Sequence, residues 1–393
     1  MNNIFSDRIS DVPKSFIREI LKIAVNPDII SFAGGLPNKK LFPVSELQEV
    51  TNYVFESSGQ EALQYSNTEG FLPLRKIIAE RYKEKKGIKI LPKNILITNG
   101  SQQGLDLLGK IFLNKGDEVI LEEPGYLGAI QAFSVYRPFF KTVKLLDSGL
   151  NISEFSKVLS SSRPKFIYTV PNFQNPSGIS YSDSNRKKIS NLIRERELFL
   201  IEDDPYGDLR YTGQDKVSFK KLIPEQTILL GSFSKIVAPS FRIGWVVASD
   251  QIMDKLIIAK QASDLHTNYI SQRILYQYLI DKDIEQHIKK IKDKYNSQRK
   301  VMLNSIEKYF PAEVTTTTPE GGMFLWVTLP EEISAMDLFN IAIEKKVAFV
   351  PGGPFYINKD DINTLRLNFS CVDEENIEIG IKRLSSAIKM AMN

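Results

Sequence analysis

A lysine that can be neutral at ordinary pH is a nucleophile, and Lys235 stands where the chain could make it one. It follows an apolar run, Ile228 to Leu230, of the length expected for a buried strand. Gly231, Ser232 and Ser234, all small or hydroxylated, lie between that run and the lysine. An amine held just past a buried strand end loses hydration, and nearby cations lower its pKa further, so part of it is free base. Arg242 comes seven residues on, in an alternating run that would set Phe241, Ile243 and Trp245 on one face and Arg242 with Gly244 on the other. Two hydroxyls and a guanidinium suit a small dianion such as a phosphate. An amine beside a phosphate cradle is what pyridoxal phosphate needs: its aldehyde forms a Schiff base with the lysine while the phosphate holds the ring. The same stretch also reads as a solvated lysine after a serine turn.

Five apolar runs must position these groups. ILIT (95–98) ends at Asn99, Gly100, Ser101 and Gln102, EVILEE (118–123) at Pro124, Gly125 and Tyr126, and KFIYTV (165–170) at Pro171 through Gly178. LFLIED (198–203) ends at Asp204, Pro205 and Tyr206, and TILLGS (227–232) at Phe233, Ser234 and Lys235. Helical stretches follow them, which predicts a mostly parallel sheet with helices on both faces. Ligands of such sheets sit beyond the carboxyl ends of the strands, where these unusual residues fall. Ser101 opens a helix, whose N-terminus favours phosphate, although serine is also a common cap. Asp203 closes a hydrophobic strand, where a carboxylate needs a cation. A protonated pyridine nitrogen would be one, with Asp204 the competing carboxylate. Tyr126, at a strand end, could stack on a ring or simply pack. Arg366 alternates with Leu365 and Leu367 in NTLRLNFS, and an inward arginine asks for a planar anion, either a substrate carboxylate or an internal partner.

The string S-F-S-K-x-x-x-P-x-x-R-x-G-W resembles the lysine segment of class I/II aminotransferases, the fold-type I pyridoxal-phosphate enzymes. The likeness runs from about Ser15 to the C-terminus. SFAGGLPNKKLFP, LQYSNTEGFLPLR, ITNGSQQGLDLLGKIFL, SDLHT and PEGGMFLWVTLP are similar to strings of bacterial 2-aminoadipate and multi-substrate aminotransferases. The resemblance implies an α/β fold: three α/β/α layers around a mostly parallel seven-stranded sheet, plus a smaller α+β domain. The large domain would hold residues 46–283, and the small one residues 1–45 and 284–393.

For the site, the resemblance implies a phosphate cup of Gly100, Ser101, Gln102, Ser232, Ser234 and Arg242. The family spacing Asp-x-x-Tyr selects Asp203 and pairs it with Tyr206. Tyr206 and Asn175 would hydrogen-bond the ring's phenolic oxygen, although Asn175 in N-P-S-G could also be a turn residue. Gly35 matches the glycine whose backbone meets the substrate carboxylate. Tyr65 matches the tyrosine that crosses a homodimer to the partner's cofactor phosphate. Ser15 and Arg18 match an S-x-x-R pattern on an N-terminal helix. There Arg18 could bind a distal carboxylate or be merely solvated, and movement of such a helix would admit aromatic or aliphatic side chains. The implied activity is transfer of an amino group from an L-amino acid to a 2-oxo acid such as 2-oxoglutarate. It would be ping-pong, through a lysine aldimine, with Lys235, Asp203 and Tyr126 as the catalytic residues. A lyase or decarboxylase on the same fold would share these cofactor residues.

Composition narrows the rest. The 393 residues suffice for two domains, and 42% hydrophobic with 25% charged content is ordinary for a soluble protein. A net charge of +4, from 51 basic and 47 acidic residues, is too mild to argue for nucleic acid or an anionic membrane. One cysteine, Cys371, excludes a disulfide framework, and two distant histidines, His266 and His287, make a zinc site unexpected. MNNIFSDRISDVPKSF lacks a basic start followed by an apolar core, and no apolar run reaches 18 residues, so a cytoplasmic protein is expected. A DNA-binding regulator with an aminotransferase-like sensor would need a domain before Ser31, for which this sequence leaves no room. Residues 13–24 have helical spacing, with Phe16, Ile20 and Ile23 on one side. A charged helix is expected over 284–310, leading into the smaller domain, and a last helix with Ile377, Ile381, Leu384 and Ile388 on one stripe.

Overall fold

Four of the five apolar runs form the middle of one sheet and ILIT one of its edges, in a computed structural model that describes residues 4–10, 12, 26–196, 198–357 and 362–392. The helix expected over 13–24, with Ser15 and Arg18, lies outside the described residues. The strands are β1 (Ile95–Asn99), β2 (Glu118–Glu123), β3 (Phe139–Leu146), β4 (Gly149–Leu150), β5 (Pro164–Thr169), β6 (Phe199–Asp203), β7 (Thr227–Ser232) and β8 (Ile243–Val247). Among the described residues they pair in the order β1-β8-β7-β6-β5-β2-β3-β4. Strands β7, β6, β5, β2 and β3 are mutually parallel. Strand β8 is antiparallel to both its neighbours, so β1 runs with the parallel block. The two-residue β4 is an antiparallel return on the edge, which makes the sheet seven strands and a short eighth.

Strand periodicity divides the core between two faces. Ile120, Ile167 and Leu200 pack into one buried cluster, while Val119, Phe166, Tyr168 and Ile201 pack into the other. Both faces are covered, which is why these strands read as nearly continuous apolar runs. Strand β3 escapes that signature because it is half-exposed.

A second sheet carries Arg366. Its strands are β9 (Thr315–Thr316), β10 (Phe324–Thr328), β11 (Val350–Pro351) and β12 (Thr364–Asn368), antiparallel in the order β9-β10-β12-β11. The long charged helix runs from Ile284 to Tyr309, and the last from Glu374 to Ala391, with Ile377, Ile381, Leu384 and Ile388 buried as one stripe. Ile30 and Ser31 pair in parallel with Val347 and Ala348. The next residues then pass Asn368, whose N–H donates to the Phe32 carbonyl at 2.9 Å. The early segment is thereby threaded onto the second sheet and led to the large sheet's edge. No helix among the described residues is long and apolar enough to cross a membrane.

Candidate active site

Because β1, β2, β5, β6 and β7 run the same way, their C-terminal ends share one edge. The reversed β8 begins at that edge, where Ile243 faces Asn99 and Gly244 faces Ser232. Arg242 therefore reaches the site from a different strand direction than the other groups. It is not part of the alternating strand: its φ of +53° is left-handed and closes the short turn Pro239–Phe241. The tight turn, not strand alternation, aims its side chain. A cavity of about 510 Å³ opens at this edge, between the strand ends, Gly35 and Arg366.

Lys235 ends the single turn Phe233–Lys235 that follows β7, and it lines the cavity half-buried. Its Nζ donates to the Gly35 carbonyl at 3.0 Å and lies 5.8 Å from the Tyr206 ring centre. Burial pushes its pKa down to about 8, and the Arg366 and Arg242 cations push the same way against Cys371. A usable fraction of free amine at neutral pH follows.

Asp203, the last residue of β6, lines the same cavity. Its Oδ2 accepts from the Tyr168 hydroxyl at 2.7 Å, while Oδ1 is buried with no partner among the described residues. Burial raises its pKa to about 7, with Asp204 and Glu122 adding to the rise and the Tyr168 hydrogen bond opposing it. A buried carboxylate oxygen left without a donor costs about 1–3 kcal/mol or more, so a ligand N–H at this point would be strongly favoured. Asp204 does not line the cavity; it accepts from the Asn172 amide at 2.8 Å. The carboxylate that shares the cavity with the lysine is thus the one with an oxygen that has no partner among the described residues.

Arg366 sits in the middle of β12 and points into the cavity. One terminal nitrogen donates to Asn175 Oδ1 and the other to the Ala33 carbonyl, both at 2.8 Å, while Nε is buried and unpartnered among the described residues. The guanidinium lies 4.5 Å from the Phe324 ring centre and 5.3 Å from that of Phe355. Burial lowers its pKa to about 10 without discharging it. Among the described residues no carboxylate is a hydrogen-bond partner of Arg366, so an internal ion pair is not what it serves. A carboxylate ligand would meet a desolvated fork already fixed by packing.

The helix Ser101–Phe112 starts at Gly100, whose φ of +73° is left-handed, and its first residues Ser101 and Gln102 line the cavity with Ser232, Ser234 and Arg242. The Ser232 and Ser234 hydroxyls are 2.9 Å apart, and one Arg242 nitrogen donates to the Asn99 carbonyl at 3.3 Å. The Gln102 amide donates to the Gly128 carbonyl at 2.8 Å. A Cβ on Gly100 would collide with that Arg242 guanidinium, and one on Gly244 would stand 2.6 Å from the Ser101 nitrogen. Gly100→Ala is accordingly expected to displace Arg242 and weaken binding of a phosphate-bearing ligand about ten-fold, as loss of one charged hydrogen bond would. Equilibrium binding of pyridoxal phosphate to the variant checks this.

Tyr126, three residues past β2, and Tyr206, after β6, line the cavity together with Asp203 and Asn175. Burial raises the Tyr126 hydroxyl to about 12, and Tyr206 also lies above its ordinary value, mainly through burial, so both stay protonated donors. Tyr65 lies elsewhere, 79% exposed and edge-on to His266 with ring centres 5.9 Å apart. Val170, Leu127, Gln131, Pro205 and Pro239 also line the cavity, and Tyr168 donates to Asp203, none of them given a role by the sequence reading. Tyr168 gives no signal there, because an aromatic inside a buried strand looks like core.

Comparison with known proteins makes this chain an aminotransferase. Residues 28–384 match the family Aminotransferase class I and II, and the chain belongs to that family. Aromatic-amino-acid aminotransferase 1 of Thermococcus litoralis is 43% identical over 99% of this chain and 94% of its own length. The solved multiple substrate aminotransferase of Thermococcus profundus superposes with a TM-score of 0.95 at 42% identity, covering 99% of this chain and 98% of that one. The alpha-aminoadipate aminotransferase of Thermus thermophilus, solved with N-(5'-phosphopyridoxyl)-L-leucine, gives 0.92 at 40% identity over 99% and 98% of the two chains. The expected enzyme class and fold are those of these relatives.

Proposed function

We propose that this enzyme uses pyridoxal phosphate to move the amino group of aromatic L-amino acids and L-2-aminoadipate to a 2-oxo acid, 2-oxoglutarate being the acceptor, by a ping-pong mechanism. The observation that carries the cofactor reading is the buried, unpartnered Asp203 Oδ1 in a cavity shared with a lysine of lowered pKa. The adduct in the Thermus relative supports the same reading, and the two relatives' names support the substrate range.

Gly100, Ser101, Gln102, Ser232, Ser234 and Arg242 would hold the phosphate, Asp203 the ring nitrogen, Tyr206 and Asn175 the phenolic oxygen, and Tyr126 a ring face. When bound, the cofactor supplies an aldehyde that accepts the amino group and a ring that takes up electrons from the substrate α-carbon. Lys235 Nζ, partly free base, takes the α-proton and later returns it, acting as base and then acid. Arg366 binds the substrate carboxylate with Asn175 beside it, and the Gly35 backbone closes over that end. Asp203 stays ionised to hold a proton on the ring nitrogen. Arg366→Lys removes the planar fork while keeping the charge, and is expected to lower kcat/KM for amino acids roughly 10- to 100-fold. Steady-state kinetics with a good donor tests it.

In this reading residues 46–283 form the cofactor domain, and residues 1–45 with 284–393 the smaller one. The protein would be a cytoplasmic homodimer in which Tyr65, exposed beside the equally exposed Leu63, reaches the partner's phosphate site. Arg18, with Ser15, would bind the distal carboxylate of 2-aminoadipate. Arg18→Ala is then expected to lower kcat/KM for aminoadipate about ten-fold or more and to spare phenylalanine. The reading as a whole is tested by supplying each amino acid with 2-oxoglutarate and measuring glutamate. Glutamate formed in step with the new 2-oxo acid is expected. Release of carbon dioxide or ammonia in its place would sink transamination in favour of a decarboxylase or lyase.

A further inference from the structure

We propose that Tyr168 is a positioning residue: its hydroxyl fixes the Asp203 carboxylate so that the second oxygen is presented, ionised, to the ring nitrogen of the bound cofactor. This rests on the reading of Asp203 given above. Tyr168 belongs to β5 and Asp203 to the neighbouring β6, with Tyr168 in register with Ile201. Asp203 lies two positions after Ile201, with only Glu202 between them, so all three side chains stand on one face of the sheet. The phenol donates to Oδ2 at 2.7 Å and is 1% exposed, so neither group has water as an alternative partner. The Tyr168 ring is held edge-on by Phe133, with ring centres 5.9 Å apart. Asp203 therefore has one oxygen tied by a rigid donor and one oxygen free, on a side chain that lines the cavity.

The chemistry of this hydrogen bond is directional. Burial, Asp204 and Glu122 all favour the protonated carboxyl, and a protonated Asp203 cannot hold a proton on a ring nitrogen. On the cavity side the facing groups are the Tyr126 and Tyr206 phenols, both kept neutral by burial. The Tyr168 hydroxyl is the donor that withdraws charge from the carboxylate and keeps it ionised. Removing it makes Asp203 more basic, which draws the shared proton away from the ring nitrogen. Strengthening it does the reverse.

The test uses the full-length protein reconstituted with pyridoxal phosphate carrying an isotopic label at the ring nitrogen. Three proteins are compared: wild type, Tyr168→Phe, and protein carrying one fluorine beside the hydroxyl of Tyr168, which makes the phenol a stronger donor without changing its shape. The readouts are the nitrogen magnetic resonance and the cofactor dissociation constant. In wild type the resonance is expected in the pyridinium range. Tyr168→Phe should shift it toward neutral pyridine and weaken cofactor binding about ten-fold. Fluorination should shift it the opposite way, a response that a purely structural phenol would not give. If Tyr168→Phe does not fold, the sign of the fluorine shift decides alone. Identical resonances in all the folded proteins, with wild type in the pyridinium range, would overturn the role of Tyr168 and leave the proposed function standing. A wild type that binds no cofactor, or holds it as neutral pyridine, would overturn both.

Discussion

Lys235→Ala should lower amino transfer by roughly 10⁴-fold or more, because it removes both the nucleophile and the group that moves the α-proton. The variant should still fold and still bind the cofactor through its phosphate, since Ser232, Ser234, Arg242 and the helix start at Ser101 do not depend on the lysine. Added methylamine should restore part of the rate if the missing function is a base. The wild-type lysine carries a pH signature as well. With a pKa near 8 in place of the ordinary 10.5, about a tenth of Nζ is free base at pH 7, against about one part in three thousand for a solvated lysine. Addition of an aldehyde to the cofactor-free protein should therefore rise about five-fold from pH 7 to 8 and gain only about two-fold more above that. Stopped-flow absorbance reads this rate. A rise continuing to pH 10 would mean that Lys235 is not desolvated as described.

Asp203→Asn should reduce kcat by roughly 10²–10³-fold, the usual loss when one preorganised charge facing the reacting group is removed. The amide preserves shape but cannot hold a proton on a ring nitrogen, so the loss should appear in kcat more than in KM. Asp204→Asn makes the contrasting case. Asp204 bonds Asn172 away from the cavity, so its replacement should lower thermal stability more than turnover. Equal effects of the two substitutions on kcat would contradict the assignment of Asp203.

Much of this site is legible in the sequence for one physical reason. A parallel sheet gathers its strand ends, so Ser101, Tyr126, Asp203 and Lys235 come together without any long-range information beyond strand recognition. Local patterns do not reveal contacts between distant segments. The Lys235 bond to Gly35 spans 200 residues and the Arg366 bond to Ala33 spans 333, and nothing near either residue announces its partner. Arg242, which lines the cavity, carries a local geometry that its pattern misstates, since its alternation looks like strand while a left-handed turn sets it. Asp203 and Asp204 are chemically identical in sequence, and only the backbone's exit from β6 sends one into the cavity and the other toward Asn172. Strand β3 is missed because a strand next to the sheet's edge and half-open to water has neither a continuous apolar run nor a catalytic end.

The most direct test fixes the cofactor chemically to its amine. The protein is loaded with pyridoxal phosphate, reduced with borohydride, digested, and mapped by mass spectrometry. A single pyridoxyl group on the peptide containing Lys235 is the predicted result, and it should vanish when L-phenylalanine or L-2-aminoadipate is added before the borohydride. A label on another lysine, or a label on Lys235 that neither amino acid removes, would contradict the account.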